Sequence, residues 1–304
     1  MSEIIEVNHL KKYYKNVKAV DDISFKVEKG ELFGFLGVNG AGKSTTINML
    51  CTLLRPTDGE AYIGGYKLGK EDEAIRRLIG IVYQENSLDD ALTVKENLMI
   101  RGRLYEPDSK KLKKQLSEVS ERLGLEEILN RRFKRLSGGQ KRRCEIARAL
   151  MHQPEVLFLD EPTTGLDPAT RKDVWECVAR LREEMQMTVF LTTHYMEEAA
   201  AASHIGIMDN GKLKQYGMPF SLKESFASDR LNVMAKDKEK VIEVLRNKKL
   251  VFKEDNRMLS IELNNTLAAL TILPSIEDAI SGFEVIQGSM DDVFLNVTGK
   301  ALAH

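Results

Sequence analysis

Eight consecutive residues, Gly37-Val38-Asn39-Gly40-Ala41-Gly42-Lys43-Ser44, match the pattern G-x-x-x-x-G-K-[ST] at every fixed position. Their types suit one task, holding the phosphates of a nucleoside triphosphate. Glycines let the backbone approach phosphate oxygens, the Lys43 ammonium reaches the β and γ groups, and the Ser44 hydroxyl is a magnesium ligand. Thr45 follows directly and belongs to the same candidate cradle. A second constellation is Val156-Leu-Phe-Leu-Asp160-Glu161, two acids at the end of an apolar run. Open α/β sheets bind ligands at the carboxyl ends of their strands, so Asp160 is placed to hold magnesium through water and Glu161 to activate a hydrolytic water. A third is Leu136-Ser137-Gly138-Gly139-Gln140, a Ser/Gly turn ahead of a helical run. By itself it is either an anion site at a helix N-terminus or an ordinary turn.

The elements that must position these groups follow from periodicity. Glu31–Leu36 is a short apolar strand and Thr45–Leu54 is helical, so the glycine loop opens a helix and aims free N–H groups at the phosphates. Short strands at 4–7, 19–27 and 59–63 predict an antiparallel sheet beside it, with Tyr13 and Tyr14 in the turn between the first two. Ile79–Tyr83 is another strand and runs into Gln84. A block of helices follows, inserted at about 86–152: one opened by a capping box at Thr93 and Glu96, a second over 109–123 and a third over 138–151. The α/β alternation then resumes with strand 156–159, helix 168–185, strand 188–192, helix 195–202, strand 205–208 and a hairpin at Asn210-Gly211. Near-continuous apolar strands separated by helices imply a buried parallel sheet. Beyond residue 218 the pattern changes. Strand, helix (238–247), strand, strand (258–263), helix (265–280) and strand make a small α+β domain over 219–304 in the ferredoxin-like order, ending in a short helix at 290–297.

Length and composition bound the function. At 304 residues the chain is longer than one core usually serves, and 42% hydrophobic with 30% charged residues is a globular balance. A formal net charge of −1 argues against nucleic acid as the main partner, although residues 131–135 and 141–143 form a local basic patch. Cys51, Cys144 and Cys177 are widely spaced, which favours buried thiols in a reducing compartment over a disulfide framework. The acidic N-terminus does not read as a signal peptide, and no run of 18 apolar residues occurs. If the protein works at a membrane, another chain crosses it.

Taken together, the phosphate loop, the segment Leu136–Gln140 and the acidic strand resemble the ATP-binding-cassette ATPases, with the segment matching that family's signature. Gln84, Asp167 in Gly165-Leu-Asp-Pro168, and His194 after Leu191-Thr-Thr193 are similar to its glutamine loop, dimer-interface loop and switch histidine, in the same order. The resemblance spans about residues 4–217. It implies a phosphate-loop cassette fold with a parallel core sheet, an antiparallel β subdomain and an inserted helical subdomain. It also implies ATP and Mg2+ as cofactors, and two copies paired head to tail. ATP then lies between residues 37–44 of one copy and Ser137, Gly138, Gly139 and Gln140 of the other. Tyr14 would stack on adenine, with Tyr13 the alternative if the register slips. Gln84 would touch magnesium and the attacking water, His194 the γ-phosphate, and the basic patch would suit a second polyphosphate.

Asn39–Thr46, Leu92–Leu98, Thr192–Glu198 and the tail Met290–Gly299 resemble the daunorubicin-resistance type of exporter ATPase. In that type the permease is a separate chain, which implies a cytoplasmic subunit held to the inner face of the membrane. Val38 and Ser203 depart from the family pattern, and neither removes a group that touches phosphate. The rival reading, a soluble cassette ATPase acting on ribosomes or DNA, would usually bring two cassettes or a long coiled-coil insertion. A GTPase would need an Asn-Lys-x-Asp reader, and Asn247-Lys-Lys-Leu250 lacks the acid. Glu161 and His194 both speak against an inactive cassette.

Overall fold

The computed structural model describes residues 2–256 and 258–300. The chain divides into two compact units, 1–217 and 218–304. In the first, β1 (Glu3–Tyr14) and β2 (Val17–Glu28) form a long hairpin. β3 (Leu32–Leu36), the glycine loop and α1 (Lys43–Leu50) follow. β4 (Asp58–Ile63) and β5 (Tyr66–Lys67) complete an antiparallel sheet of order β2-β1-β4-β5. α2 (Asp72–Leu78) leads into β6 (Ile79–Val82), and then come the inserted helices α3 (Val94–Gly102), α4 (Ser109–Leu123) and α5 (Gly138–Leu150). β7 (Val156–Asp160), α6 (Pro168–Met185), β8 (Thr188–Thr193), α7 (Met196–Ala200), β9 (His204–Asp209) and β10 (Lys212–Gly217) end the unit.

β6, β7, β8, β3 and β9 run parallel in that order, and β10 closes the edge antiparallel to β9. β3 and β8 are buried along their whole length, and β7 up to Leu159, as expected of strands covered on both faces. Phe25, Phe33, Phe35, Phe158 and Phe190 pack into one aromatic centre with neighbouring ring centroids 5.0–6.2 Å apart. Register matters most at the carboxyl edge. Asp160 lies opposite Thr192 and Leu36 opposite Thr193, so the glycine loop, the acid pair and the residues before His194 share one edge.

Several elements differ from expectation. Tyr13 and Tyr14 are the last residues of β1 rather than part of the turn, which is Lys15-Asn16. α1 stops at Leu50, where Cys51 caps it, four residues short. α7 spans 196–200 only, with Tyr195 as its N-cap.

The second unit holds α8 (Pro219–Phe226), β11 (Asp229–Ala235), α9 (Lys238–Asn247), β12 (Phe252–Asp255), β13 (Met258–Leu263), α10 (Ala269–Ile272), β14 (Ile280–Ile286) and α11 (Met290–Thr298). Its sheet has the order β12-β13-β11-β14 with every pair antiparallel. The helix expected over 265–280 is broken into short turns around α10. Pro274 has no N–H to give to a helix, and its ring would strike the carbonyl of Leu270, so α10 ends at Ile272 and a 3-10 turn takes over.

Candidate functional site

The glycine loop wraps a cavity of about 420 Å³. Val38, Asn39, Gly40, Gly42, Lys43, Ser44 and Thr45 line it, with Gln84 and Glu161 reaching in from other segments. Gly42 has φ +110°, and a Cβ there would sit 2.4 Å from the Ala19 carbonyl oxygen, so only glycine permits the turn. It is the N-cap of α1 and supplies no side-chain cap, which leaves first-turn N–H groups free for an anionic ligand.

Lys43 is only 4% exposed; its Nζ donates to the Gly37 carbonyl at 2.7 Å and stands 3.3 Å from Glu161 Oε1. Glu161, 10% exposed, lies between two basic groups, because its Oε2 is 3.2 Å from His194 Nδ1, a close approach without hydrogen-bond geometry. Glu161 takes φ +47°, a backbone region that non-glycine residues visit at a cost, and Thr192 holds it there by accepting its N–H at both carbonyl and hydroxyl. The Thr192 hydroxyl also donates to Asp160 Oδ1 at 2.5 Å, and Ser44 Oγ approaches the same oxygen at 3.5 Å. Among the described residues no group of three or more His, Cys, Asp or Glu could hold a metal ion. Ser44 Oγ and Asp160 Oδ1, 3.5 Å apart, are hard oxygen donors of the kind that suits a cation such as magnesium, which takes the rest of its shell from water and phosphate oxygens.

Gln84 lines the cavity, and its backbone is fixed from behind. Buried Arg142 donates to the carbonyls of Tyr83 (2.6 Å) and Gln84 (3.0 Å). Part of the basic patch expected to suit a second polyphosphate is thus engaged within the chain. Arg142 points inward, Arg143 donates to Leu123, Lys141 pairs with Asp90, and only the stretch 131–135 keeps exposed cations.

Ser137 and Gln140 form a reciprocal cap at the start of α5, each side chain accepting from the other's backbone N–H. None of Ser137, Gly138, Gly139 and Gln140 lines the cavity of its own chain. Gly138 and Gly139 face Leu166 and Thr170, beside Asp167, which caps α6.

Tyr14 does not line the cavity either. It is 46% exposed, with Lys12 Nζ 5.1 Å from the centre of its ring. The Tyr13 hydroxyl is already committed to Asp21 at 2.6 Å. Sequence reasoning missed Val17, Lys18, Ala19, Asn210 and Gly211, which complete the wall by chain folding alone. It also missed Thr192, for which the pair of threonines before His194 was the available signal. The three cysteines are buried, and burial pushes the Cys144 thiol up to about 12.

A phosphate loop at the centre of a parallel sheet, an acid pair one strand away and an inserted helical block define a phosphate-loop ATPase of cassette architecture. The ABC transporter family model matches residues 20–164. The daunorubicin/doxorubicin resistance ATP-binding protein DrrA of Streptomyces peucetius is 37% identical over 97% of this chain and 92% of its own length. The linearmycin resistance ATP-binding protein LnrL of Bacillus subtilis is 36% identical over 98% and 99%. Among solved structures, a dimeric ATP-binding cassette in a post-hydrolysis state with ADP and phosphate superposes with a TM-score of 0.64 at 29% identity. It covers 70% of this chain and 98% of that one. CbiO1 of Clostridium perfringens, part of an ABC transporter complex, gives 0.68 at 27% over 81% and 96%. The chain belongs to the ABC transporter family, as an ATP-hydrolysing, ATP-binding subunit of the drug-resistance exporter type. These relatives match along the whole chain, which sets aside the rival reading of a soluble ATPase acting on ribosomes or DNA.

Proposed function

We propose that two copies of this chain pair head to tail and drive a separate membrane permease that exports hydrophobic or amphiphilic drugs. The observation that carries the reading is the arrangement of Glu161, held between Lys43 and His194 on the wall of the cavity that the glycine loop wraps. Lys43 binds the β- and γ-phosphates, and the backbone N–H groups of residues 40–45 orient them. Glu161 takes the proton of the attacking water, and His194 contacts the γ-phosphate opposite it. Ser44, Asp160 and Gln84 hold Mg2+, which when bound offsets charge on the phosphate oxygens. Tyr14 or Tyr13 stacks on the base.

The partner copy supplies Ser137, Gly138, Gly139 and Gln140, a capped helix start left outside its own cavity, so each nucleotide stabilises only the closed pair. Hydrolysis weakens those contacts and the pair reopens. No helix among the described residues is long and apolar enough to cross a membrane; the peripheral position on the cytoplasmic face through the permease is part of this reading and follows from the likeness to resistance ATP-binding proteins. The resistance proteins that this chain resembles along its length supply the substrate class.

Glu161→Gln tests the reading. Loss of a general base is worth about a hundredfold or more in rate, so hydrolysis falls by at least that factor while ATP is still bound. A tagged variant purified with ATP from detergent-solubilised membranes should carry a stoichiometric protein with about six apolar spans. Wild-type turnover in Glu161→Gln would remove the catalytic assignment, and capture of ribosomal or DNA-associated proteins with no membrane protein would remove the transport reading.

A further inference from the structure

Behind the Glu161 and His194 pair lies another carboxylate, Glu198, in α7 and only 7% exposed. Its partners are three neutral donors. The Thr163 hydroxyl and the Trp175 indole N–H, at 2.8 Å, both reach Oε1, and the Thr193 hydroxyl reaches Oε2. These donors belong to three separate segments. Thr163 is two residues beyond Glu161, Thr193 immediately precedes His194, and Trp175 lies on α6. The Thr193 oxygen also accepts the N–H of Tyr195 at 2.9 Å, so the residues on both sides of His194 are tied to one point.

A carboxylate is retained in such a place only when its lone pairs are filled, and hydrogen bonds to a charged acceptor are the stiffer kind. The turn it anchors includes Glu161 in its left-handed backbone conformation, which persists only where the surroundings over-determine it. Glu198 makes no contact with the cavity itself. What it can set is the spacing of the two groups that do the chemistry.

We propose that Glu198 is a positioning residue that fixes Glu161 relative to His194, and that the indole of Trp175, bonded to the same carboxylate, reports the state of that pair on α6. This rests on the reading that Glu161 and His194 act on the nucleotide. A displacement of about 1 Å in a reacting group can cost about a hundredfold in rate, so small losses in this network reach the turnover number before they reach the fold.

Two variants isolate the role. In Glu198→Gln the amide oxygen can still accept from Thr163 and Trp175, while its NH2 faces the Thr193 hydroxyl, so only one tie is reversed. Thr193→Val removes that tie from the other end with little change of shape. Trp175 is the only tryptophan in the chain, so its emission reads the network directly.

Steady-state hydrolysis and tryptophan emission during ATP titration are measured on the full-length protein for the wild type, both variants and Glu161→Gln. The expected result is a fall in kcat of about tenfold or more with KM within about twofold, at an unchanged melting temperature. ATP should shift the emission in the wild type and in Glu161→Gln, but not in Glu198→Gln. Wild-type kcat in both network variants, a rise in KM alone, or a loss of rate that merely tracks loss of folded protein would overturn the proposal. Emission in the wild type that is insensitive to ATP would overturn the reporter role of Trp175. If Glu198→Gln does not fold, Thr193→Val carries the same test alone. Failure of the underlying reading looks different, because then Glu161→Gln itself turns over normally.

Discussion

Single residues carry two opposite instructions in this protein: some are charged and held ready, others are buried so that they stay neutral. Lys43 belongs to the first kind, its ammonium satisfied by the Gly37 carbonyl and Glu161. His152 belongs to the second. Its Nε2 bonds the Ile79 carbonyl at 2.8 Å, its ring stacks on Tyr105, and its buried Nδ1 has no partner. A carbonyl only accepts, so Nε2 carries the proton and Nδ1 a bare lone pair. Burial lowers the pKa below the ordinary histidine value, the Ile79 bond partly opposes this, and nearby Arg148 adds to the lowering. A pKa depressed in the fold contributes stability that is present above the unfolded value of about 6.5 and is lost as pH falls through the lower folded value. Thermal melts at about pH 7.5 and pH 5.5 should show a drop in the wild type that is smaller in His152→Gln; equal drops in the two would refute the assignment. At this scale the sequence was informative wherever a motif fixes a residue by number. Lys43, Ser44, Asp160, Glu161 and His194 were each named from their motifs, and the fold brings those segments to one edge of the sheet. Thr192 was passed over although the paired threonines before His194 were there to read, and Glu198 was not legible, because a carboxylate that serves other side chains has no spacing rule of its own.

Among the elements, α5 does more than present a capped start. From its buried face Arg142 holds the carbonyls of Tyr83 and Gln84, and Arg148 that of Ile81. Glu145 accepts the N–H groups of Ser87 and Leu88 and the Ser87 hydroxyl, so one helix clamps the whole backbone from 81 to 88. Hydrogen bonds from a charged group are worth about 1.5–3 kcal/mol each, and removing one partner leaves buried carbonyls unsatisfied. Arg142→Met keeps the apolar stem, and is expected to cost about 2–3 kcal/mol in urea unfolding and to slow hydrolysis through a loosened Gln84. An unchanged unfolding midpoint would show the clamp to be dispensable. Charge alone grouped Arg142 into a basic patch here, because a helical arginine reads the same whether it faces water or a neighbouring strand end. Where period, cap and punctuation agree, elements were legible to the residue, as in α4, α6, α9 and β13. They failed at Pro274, where an apolar helical pattern outweighed a proline that backbone chemistry does not allow inside a helix.

At the scale of the whole molecule the two units each close a core of their own. One cluster runs from Ile4 to Met208 and gathers the aromatic centre with buried residues of β1, β2, α1 and β4. The other lies wholly between Leu231 and Ile280, where α9 and the short turns cover the four-stranded sheet. Every residue that lines the nucleotide cavity falls within 17–211. A unit with its own core and complete pocket should fold alone, so a fragment ending at Gly217 is expected to give a cooperative melt and to bind ATP as the full chain does. Its dimer should be weaker. The second unit adds nothing to the cavity, yet it adds 87 residues with a separate core, and the hypothesis tested next is that it stabilises the proposed closed pair. In light scattering with ATP, Glu161→Gln should run as a dimer in the full-length form, while the fragment carrying the same substitution should need a higher protein concentration to reach that mass. If the fragment both dimerises and, without the substitution, hydrolyses ATP like the full chain, the second unit serves something other than the ATPase pair, and contact with the permease becomes the role to examine.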